Sequence, residues 1–414
     1  MPLCLQRGSL EILYDGVFME PRKITEGVFW AGAVDWDRRL FDALIPLPDG
    51  TSYNAYIVEG RDKTALLDTV EPSMTSVLLE ELKGIRKVDY IVSHHAEQDH
   101  SGSIPAVLER FPGAKVVTSP KGKELLMLHL HLPEEVFITV ADKETIDLGG
   151  KTLEVIYTPW VHWPETMCTY LKEDGILFSC DLFGSHLAFT GLSIDDEQRV
   201  CEASKRYFAE VMMPFRPTIK KHLDRFDNYS IKTIAPSHGP IYIDPRCIIS
   251  SHKEWVSDNV KNRAVIAYAT MHGSTEILVE ALSAGLWKRG VEVERFNLAT
   301  ADTGRLAMAL VDSATIVLGS PTILGGAHPL VISAAFLVNA LRPKLRFAAI
   351  IGSQGWAGKM VEQITAHIGN LKAEVMPPVI AKGKPTGDDL KEIDGLAALI
   401  AEKHKAIGIL QGHL

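Results

Sequence analysis

"SHHAEQDHSG", residues 93–102, decides how the N-terminal half of this chain is read. It follows the apolar run "VDYIV" (88–92), which reads as a buried strand, and it sets three histidines, a glutamate and an aspartate between His94 and His100. The informative register is His95-x-Glu97-x-Asp99-His100. Ligands two apart in a loop beyond a strand end can turn toward one point, while the adjacent residue serves a second metal ion. Alone, such a loop is more often a polar surface turn or a hydrogen-bonded cap than a metal site. Three further pieces add weight, each at the end of an apolar strand: "IYTPWVHWP" with His162, "ILFSCDLFG" with Asp181 and "TIAPSHGP" with His238. Singly, Asp181 is also compatible with a helix cap and either histidine with a core residue. Four strand-end pieces in this order are hard to obtain by accident. His94, which points the other way if the strand continues, reads as a structural or supporting group.

Length and charge bound the rest. The 414 residues are too many for one ordinary domain and suggest two or three. With 43 Lys+Arg against 52 Asp+Glu, the net charge of -9 does not draw the surface to nucleic acid or anionic lipid. "MPLCLQRGSL" lacks the apolar core of a signal peptide, and no apolar run reaches the roughly 18 residues that span a bilayer. A cytoplasmic protein is expected. Five cysteines (Cys4, Cys168, Cys180, Cys201, Cys247) without a CxxC pair encode no disulfide framework, and each is expected to be a reduced, buried small residue.

Between about 25 and 160, short apolar strands such as "YNAYIVEG", "TALLDT" and "TLEVIYTP" recur between turn signals, with helices at "SIPAVLERF" and "EQRVCEASKRYFAEVMMPF". This is an α+β pattern of sheets flanked by helices. After about 255 the rhythm becomes strand, helix, strand, helix, through "RAVIAYA", "STEILVEALSAGLWKRG", "VEVERFNL", "ATIVLGS" and "RFAAIIGS" to "DDLKEIDGLAALIAEKHKA". That alternation predicts an α/β, doubly wound parallel sheet. The polar stretch "SSHKEWVSDNVKNR" (250–263) suggests domains at 1–255 and 256–414.

The second half carries its own constellation. Strand "AVIAYA" runs into "TMHGSTE" (270–276) before a helix, so backbone N–H groups, hydroxyls and the helix dipole face a phosphate. Thr270, Met271, His272, Gly273, Ser274 and Thr275 form this cradle, with Thr270, Ser274 and Thr275 as donors. The Lys of an ATP-binding loop is absent, which fits a monoester phosphate such as that of FMN. Two later strand ends meet it at the carboxyl edge, where ligands of doubly wound sheets bind. "LGSPTILGGAHP" (318–329) offers Ser320, Pro321, Thr322, Ile323 and Gly325. "IIGSQGWAGK" (350–359) offers Ser353, Gln354, Gly355, Trp356, Ala357 and Gly358, with Trp356 as an aromatic platform for the isoalloxazine face.

On these residues the first 250 or so positions resemble the metallo-β-lactamase fold, an αββα sandwich with an HxHxDH loop followed by His, Asp and His. The second part resembles flavodoxin. Hydrolases of the first family usually carry histidine where this chain has Glu97, and the added carboxylate gives harder, more anionic ligands that suit iron. The fusion of the two is the arrangement of the flavodiiron proteins. The resemblance implies His95, Glu97 and His162 on one iron, Asp99, His100 and His238 on the other, and Asp181 bridging them. Two departures stand out: Leu324 and Gly325 occupy positions where family members often have asparagines, and Gln354 one where tyrosine is common.

The resemblance implies reduction of dioxygen to water, or of nitric oxide to nitrous oxide, with FMN feeding two iron ions per chain. A head-to-tail homodimer, or a dimer of dimers, would bring one chain's FMN to the other's metals. An external donor, a rubredoxin or a reduced deazaflavin, would supply electrons. His94 and His186 are the candidates for protonation. The rival readings are a zinc hydrolase with a regulatory flavodoxin domain, and an electron carrier or redox sensor whose metals only stabilise it.

Overall fold

The structure is a computed structural model that describes residues 20–356 and 358–410. β-branched and aromatic residues in short runs, broken by turns, build two facing sheets in its first half. The first sheet orders its strands Arg22–Thr25, Val28–Trp30, Tyr56–Glu59, Thr64–Leu67, Tyr90–Val92, Lys115–Thr118 and Phe137–Thr139. The last four of these run parallel. The second orders Thr145–Asp147, Thr152–Tyr157, Met167–Leu171, Ile176–Cys180 and Thr233–Pro236, with only the final pair parallel.

Alternation along these strands sends one face of each sheet into a shared core. Trp30, Tyr56, Leu67 and Val92 meet Leu153, Val155, Leu171 and Phe178 there. Each such fully buried side chain stabilises the fold by about 1.5–3 kcal/mol. Helices cover the outer faces through Leu78, Ile104 and Leu126 on the first sheet. On the second sheet the cover comes from Phe208, Ile219, Leu223 and Trp255. The result is an αββα sandwich.

From Lys261 onward one sheet orders Glu292–Asn297, Lys261–Tyr268, Ser313–Ile323 and Phe347–Gln354, with Glu374–Val375 and Val379–Lys382 beyond. All these pairs are parallel. Both faces are covered, one by helices Ser274–Lys288 and Gly387–Ala406, the other by Thr303–Leu310, Pro329–Leu341 and Met360–His367. The order reverses between Lys261–Tyr268 and Ser313–Ile323, the switch point at which such sheets bind ligands.

The structure differs from the sequence expectations in several places. Despite its polar composition, "SSHKEWV" belongs to helix Arg246–Val256, whose His252, Trp255 and Val256 are buried, and the next strand starts at Lys261. "EQRVCEASKRYFAEVMMPF" is not one helix, because Glu197–Tyr207 passes into a π-helical turn at Phe208–Met212 and a 3-10 turn at Met213–Phe215. Cys168 and Cys180 are buried, but Cys201 is half-buried and Cys247 exposed, since it sits on the outer side of its helix's first turn; Cys4 lies outside the described residues. No helix among the described residues is long and apolar enough to cross a membrane.

The two sheet systems meet through charged contacts. Arg206 holds Asp302 with two bonds of 3.0 and 2.5 Å. Lys205 reaches Asp312 at 3.2 Å, and the buried Lys344 ammonium donates to the carbonyls of Glu254, Trp255 and Ser257.

Candidate metal centre and flavin cradle

Four parallel strands of the sandwich end on one edge: Thr64–Leu67 and Tyr90–Val92 in the first sheet, Ile176–Cys180 and Thr233–Pro236 in the second. The residues that follow them turn into the space beyond the sheets. Cys180 adopts φ 52° and Asp68 φ 55°, left-handed conformations that non-glycine residues rarely take and that concentrate at functional sites.

All seven expected ligands converge there. His95, Glu97, His162 and Asp181 bring ligand atoms within 4.8 Å of one another, as do Asp99, His100 and His238. Asp181 faces both groups with different oxygens. Its Oδ2 lies 3.6 Å from both His95 Nε2 and His162 Nε2, while its Oδ1 lies 3.1 Å from His100 Nε2 and 3.3 Å from His238 Nε2. Glu97 Oε2 is 3.1 Å from both His95 and His162, and Asp99 Oδ2 is 3.2 Å from His238. Ligand atoms about 2.1 Å from a common ion, at angles between 90° and tetrahedral, stand roughly 3.0–3.4 Å apart. The spacings of 3.1–3.3 Å within each group fit that range, and the two 3.6 Å distances from Asp181 Oδ2 lie slightly beyond it.

The chemistry of these atoms fits cations. Both oxygens of Asp99, both of Asp181 and His100 Nε2 are buried yet make no well-formed hydrogen bond. Buried carboxylates left this way are costly unless an ion is held among them. Burial alone would lower the imidazoles, but Glu165 and Glu97 lift His95 to about 10. Against the same opposition from burial, Asp181 and Asp99 lift His100 and His238 to about 10. Without metal, protons therefore take the cation's place, and metal binding releases them.

A supporting layer orients the ligands. Glu165 Oε1 lies 2.7 Å from His95 Nδ1 and accepts the Ala96 N–H at 3.0 Å. His238 Nδ1 meets the Ser52 carbonyl at 2.8 Å. His94 is not part of either ligand group: it lies between Asp68 (2.7 Å) and Thr169 (3.0 Å) and ties the two sheets together. His186 packs against the His238 ring and contacts Thr51 Oγ1 at 2.9 Å. The sequence reading missed Asp68, Glu165, Tyr207 and Glu210. Only the strand-end position of Asp68 in "TALLDT" offered a signal.

At the flavin cradle, helix Ser274–Lys288 begins after Gly273, whose φ of 83° suits glycine, and no side chain caps it. Its first N–H groups are free for a phosphate. Thr270 Oγ1 accepts the Gly273 N–H at 3.1 Å, and Thr275 Oγ1 lies 3.3 Å from Ser353 Oγ, so the first and third strand ends touch. Met271 and His272 are exposed beside them.

The second strand end is not a loop from Gly319 onward: the strand runs on through Ser320, Pro321 and Thr322 to Ile323. It then folds back at Leu324 (φ 51°) and Gly325 (φ 76°) in a two-residue hairpin that pairs Thr322 with Ala327. The Ser320 hydroxyl is engaged inside this hairpin, with the Pro321 carbonyl and the His328 N–H. The Gly325 carbonyl accepts from Lys359 N at 2.9 Å, joining the hairpin to the segment of Gly358. Gln354 ends its strand, Gly355 is exposed, and Trp356 is 67% exposed at this edge; Ala357 lies outside the described residues. The uncapped helix start, open glycines and exposed ring at the switch point fit a phosphate-bearing flavin.

Comparison with known proteins agrees with this architecture. A family model described as "ODP family beta lactamase" matches residues 51–239. A nitric oxide reductase from Moorella thermoacetica is 36% identical over 93% of this chain and 99% of its own length. A coenzyme F420H(2) oxidase from Methanothermobacter marburgensis is 34% identical over 89% and 95%. Among solved structures, rubredoxin oxygen:oxidoreductase from Desulfovibrio gigas superposes with a TM-score of 0.90 at 28% identity, covering 94% of this chain and 99% of that one. A flavodiiron protein from Giardia intestinalis gives 0.89 at 26%, covering 94% and 98%. Fold, fused sheets and full-length similarity together make this chain a member of the flavodiiron protein family.

Proposed function

We propose that the protein reduces dioxygen to water, nitric oxide to nitrous oxide, or both. The observation that carries this is Asp181, whose two oxygens face two separate ligand groups in a chain that also presents a flavin cradle. His95, Glu97 and His162 would hold one iron and Asp99, His100 and His238 the other, with Asp181, which faces both groups, available to each. When bound, the iron pair supplies a site that takes up and reduces the gas, and FMN supplies electrons to it one or two at a time.

The chain's own residues do the rest. Glu165 and the Ser52 carbonyl fix the ring orientations of His95 and His238, so that their Nε2 atoms face Glu97, Asp99 and Asp181. Glu97, at a position where hydrolases of this fold usually carry histidine, adds anionic charge that favours iron. Thr270, Ser274 and Thr275, with the uncapped helix start, would hold the phosphate of FMN, and Trp356 would offer its ring as an aromatic platform.

The metal-binding part spans 1–255 and the flavin-binding part 256–414. A head-to-tail homodimer in the cytoplasm brings the flavin of one chain to the metals of its partner, and a rubredoxin or a reduced deazaflavin feeds it. The test is to reduce the purified protein without air, mix it with nitric oxide or dioxygen, and follow gas consumption and nitrous oxide yield. Consumption of at least one gas well above the rate of free flavin is expected. Rates no higher than free flavin for both gases would overturn the reading.

A further inference from the structure

Reduction of either gas consumes protons, and the two histidines that the sequence offered for this are poorly placed to give them. His94 is held between Asp68 and Thr169 away from both ligand groups. His186 is buried behind the His238 ring with its Nδ1 against Thr51 Oγ1, and it does not line the pocket over the ligands.

Another group lines the same cavity. A pocket of about 220 Å³ opens over the clustered ligands, and Asp42, Tyr207 and Glu210 form part of its wall. Glu210 sits on the π-helical turn Phe208–Met212, the kind of irregularity that recurs at functional sites. Its side chain is only 5% exposed, and its Oε2 has no partner. Its Oε1 has a single long contact, 3.3 Å from Arg206 Nη1, because Arg206 is drawn toward Asp302 by two shorter bonds. Gly304 lets its helix press onto this pair, since a Cβ there would sit 2.1 Å from Glu210 Oε1.

The titratable groups around Glu210 come from every side. Arg206 comes from the preceding helix, Asp302 from the start of helix Thr303–Leu310, Asp42 from the pocket rim, Tyr207 from the wall beside it, and Glu97, Asp99, His100, His162, Asp181 and His238 from the ligand wall. Burial raises the Glu210 carboxyl, Arg206 pulls it partly back, and Asp302 raises it, leaving it at about 7. Asp42 is exposed at the rim.

We propose that Glu210 holds the proton at the metal pocket and donates it to the gas being reduced there. The proposal rests on the reading of this pocket as the site of gas reduction. The O–H bond of Glu210 breaks, its proton goes to the oxygen that leaves as water, and the carboxylate is reprotonated from solvent by way of the pocket mouth where Asp42 stands. Electrons come from the external donor through the flavin. Two nitric oxide molecules with two electrons and two protons then give nitrous oxide and one water, and dioxygen with four of each gives two waters.

The test compares holoenzyme of wild type, Glu210→Gln and Glu210→Asp, each checked for unchanged iron and FMN content. In wild type, kcat falls as pH rises through about 7, because Glu210 loses its proton there. In Glu210→Gln, kcat drops about 100-fold, KM stays, and this alkaline limb disappears, as expected for loss of a general acid. Glu210→Asp keeps the limb. Infrared spectra of both metal-free and loaded protein show a protonated-carboxyl band that titrates across the same range and is missing in Glu210→Gln. Asp302→Asn preserves the helix cap but releases Arg206 toward Glu210, moving the limb to lower pH. A Glu210→Gln enzyme with wild-type kcat and the same limb would overturn the proposal, as would a limb unmoved by Asp302→Asn. Wild-type protein inert toward both gases would instead defeat the underlying functional reading.

Discussion

Glu165→Ala removes a residue that is not among the seven expected ligands, and the structure gives the size of its effect. The Glu165 carboxylate is 1% exposed, and one oxygen serves both His95 Nδ1 (2.7 Å) and the Ala96 N–H (3.0 Å). Burial would raise this carboxyl, yet the contact with His95 holds it below its usual range, so it is charged at neutral pH. Truncation strands two buried donors, each at about 1–3 kcal/mol. It also frees the His95 ring, whose Nε2 must point at Glu97 and Asp181 for the ligand group to close. Losing such an outer partner lowers metal affinity about 10–100-fold, which is roughly 1.4–2.7 kcal/mol. Titration of the loaded protein with a competing iron chelator measures the affinity, and a thermal melt of the metal-free form measures the stranded donors separately. Glu165→Gln, which keeps an acceptor without the charge, falls between wild type and Ala. If Glu165→Ala holds iron within a factor of two of wild type, the orienting role is refuted.

Three further outcomes are expected. Asp181→Ala loses both irons, because its two oxygens face different groups, whereas His162→Ala retains one; iron analysis per chain separates the two cases. Thr275→Ala combined with Trp356→Ala weakens FMN binding about tenfold, given ~0.5–1.5 kcal/mol for an aromatic contact and a lost hydroxyl at the cradle, and leaves iron content unchanged; fluorescence titration reads the change. Glu81 is buried with one oxygen unpartnered, and burial, only partly offset by Arg22, raises its carboxyl to about 8. Because the unfolded chain releases this proton near 4.5 while the folded chain keeps it, stability is lost as pH rises from that value through about 8. Glu81→Gln therefore raises the melting temperature more at pH 8 than at pH 5, and equal gains at both would contradict the assignment.

The convergence of the seven proposed ligands was legible because each follows a strand end, where local spacing and apolar runs suffice to place it. The parallel sheet after residue 260 was legible for the same reason, its period switching cleanly between strand and helix. Glu165 was not, because nothing in "HWPET" shows that its carboxylate returns to His95, 70 positions earlier. Glu210 was hidden by a helical pattern that continues through "AEVMMPF" while the backbone widens into a π turn. The strand that extends through Ser320 to Ile323 carries a proline and a serine, residues that read as a loop, and it is kept extended by pairing with Phe347–Gln354 up to Pro321 and with Gly326–Ala327 beyond. His252 and Trp255 in "SSHKEWV" are buried by tertiary packing that its polar composition conceals.

The claim that two irons sit between these ligands is tested most directly by measuring iron and zinc per chain in protein purified without air from iron-replete cells. The account predicts two irons per chain, little zinc, and loss of both irons in Asp181→Ala. Zinc in both positions with negligible iron would contradict it and return the site to hydrolytic chemistry.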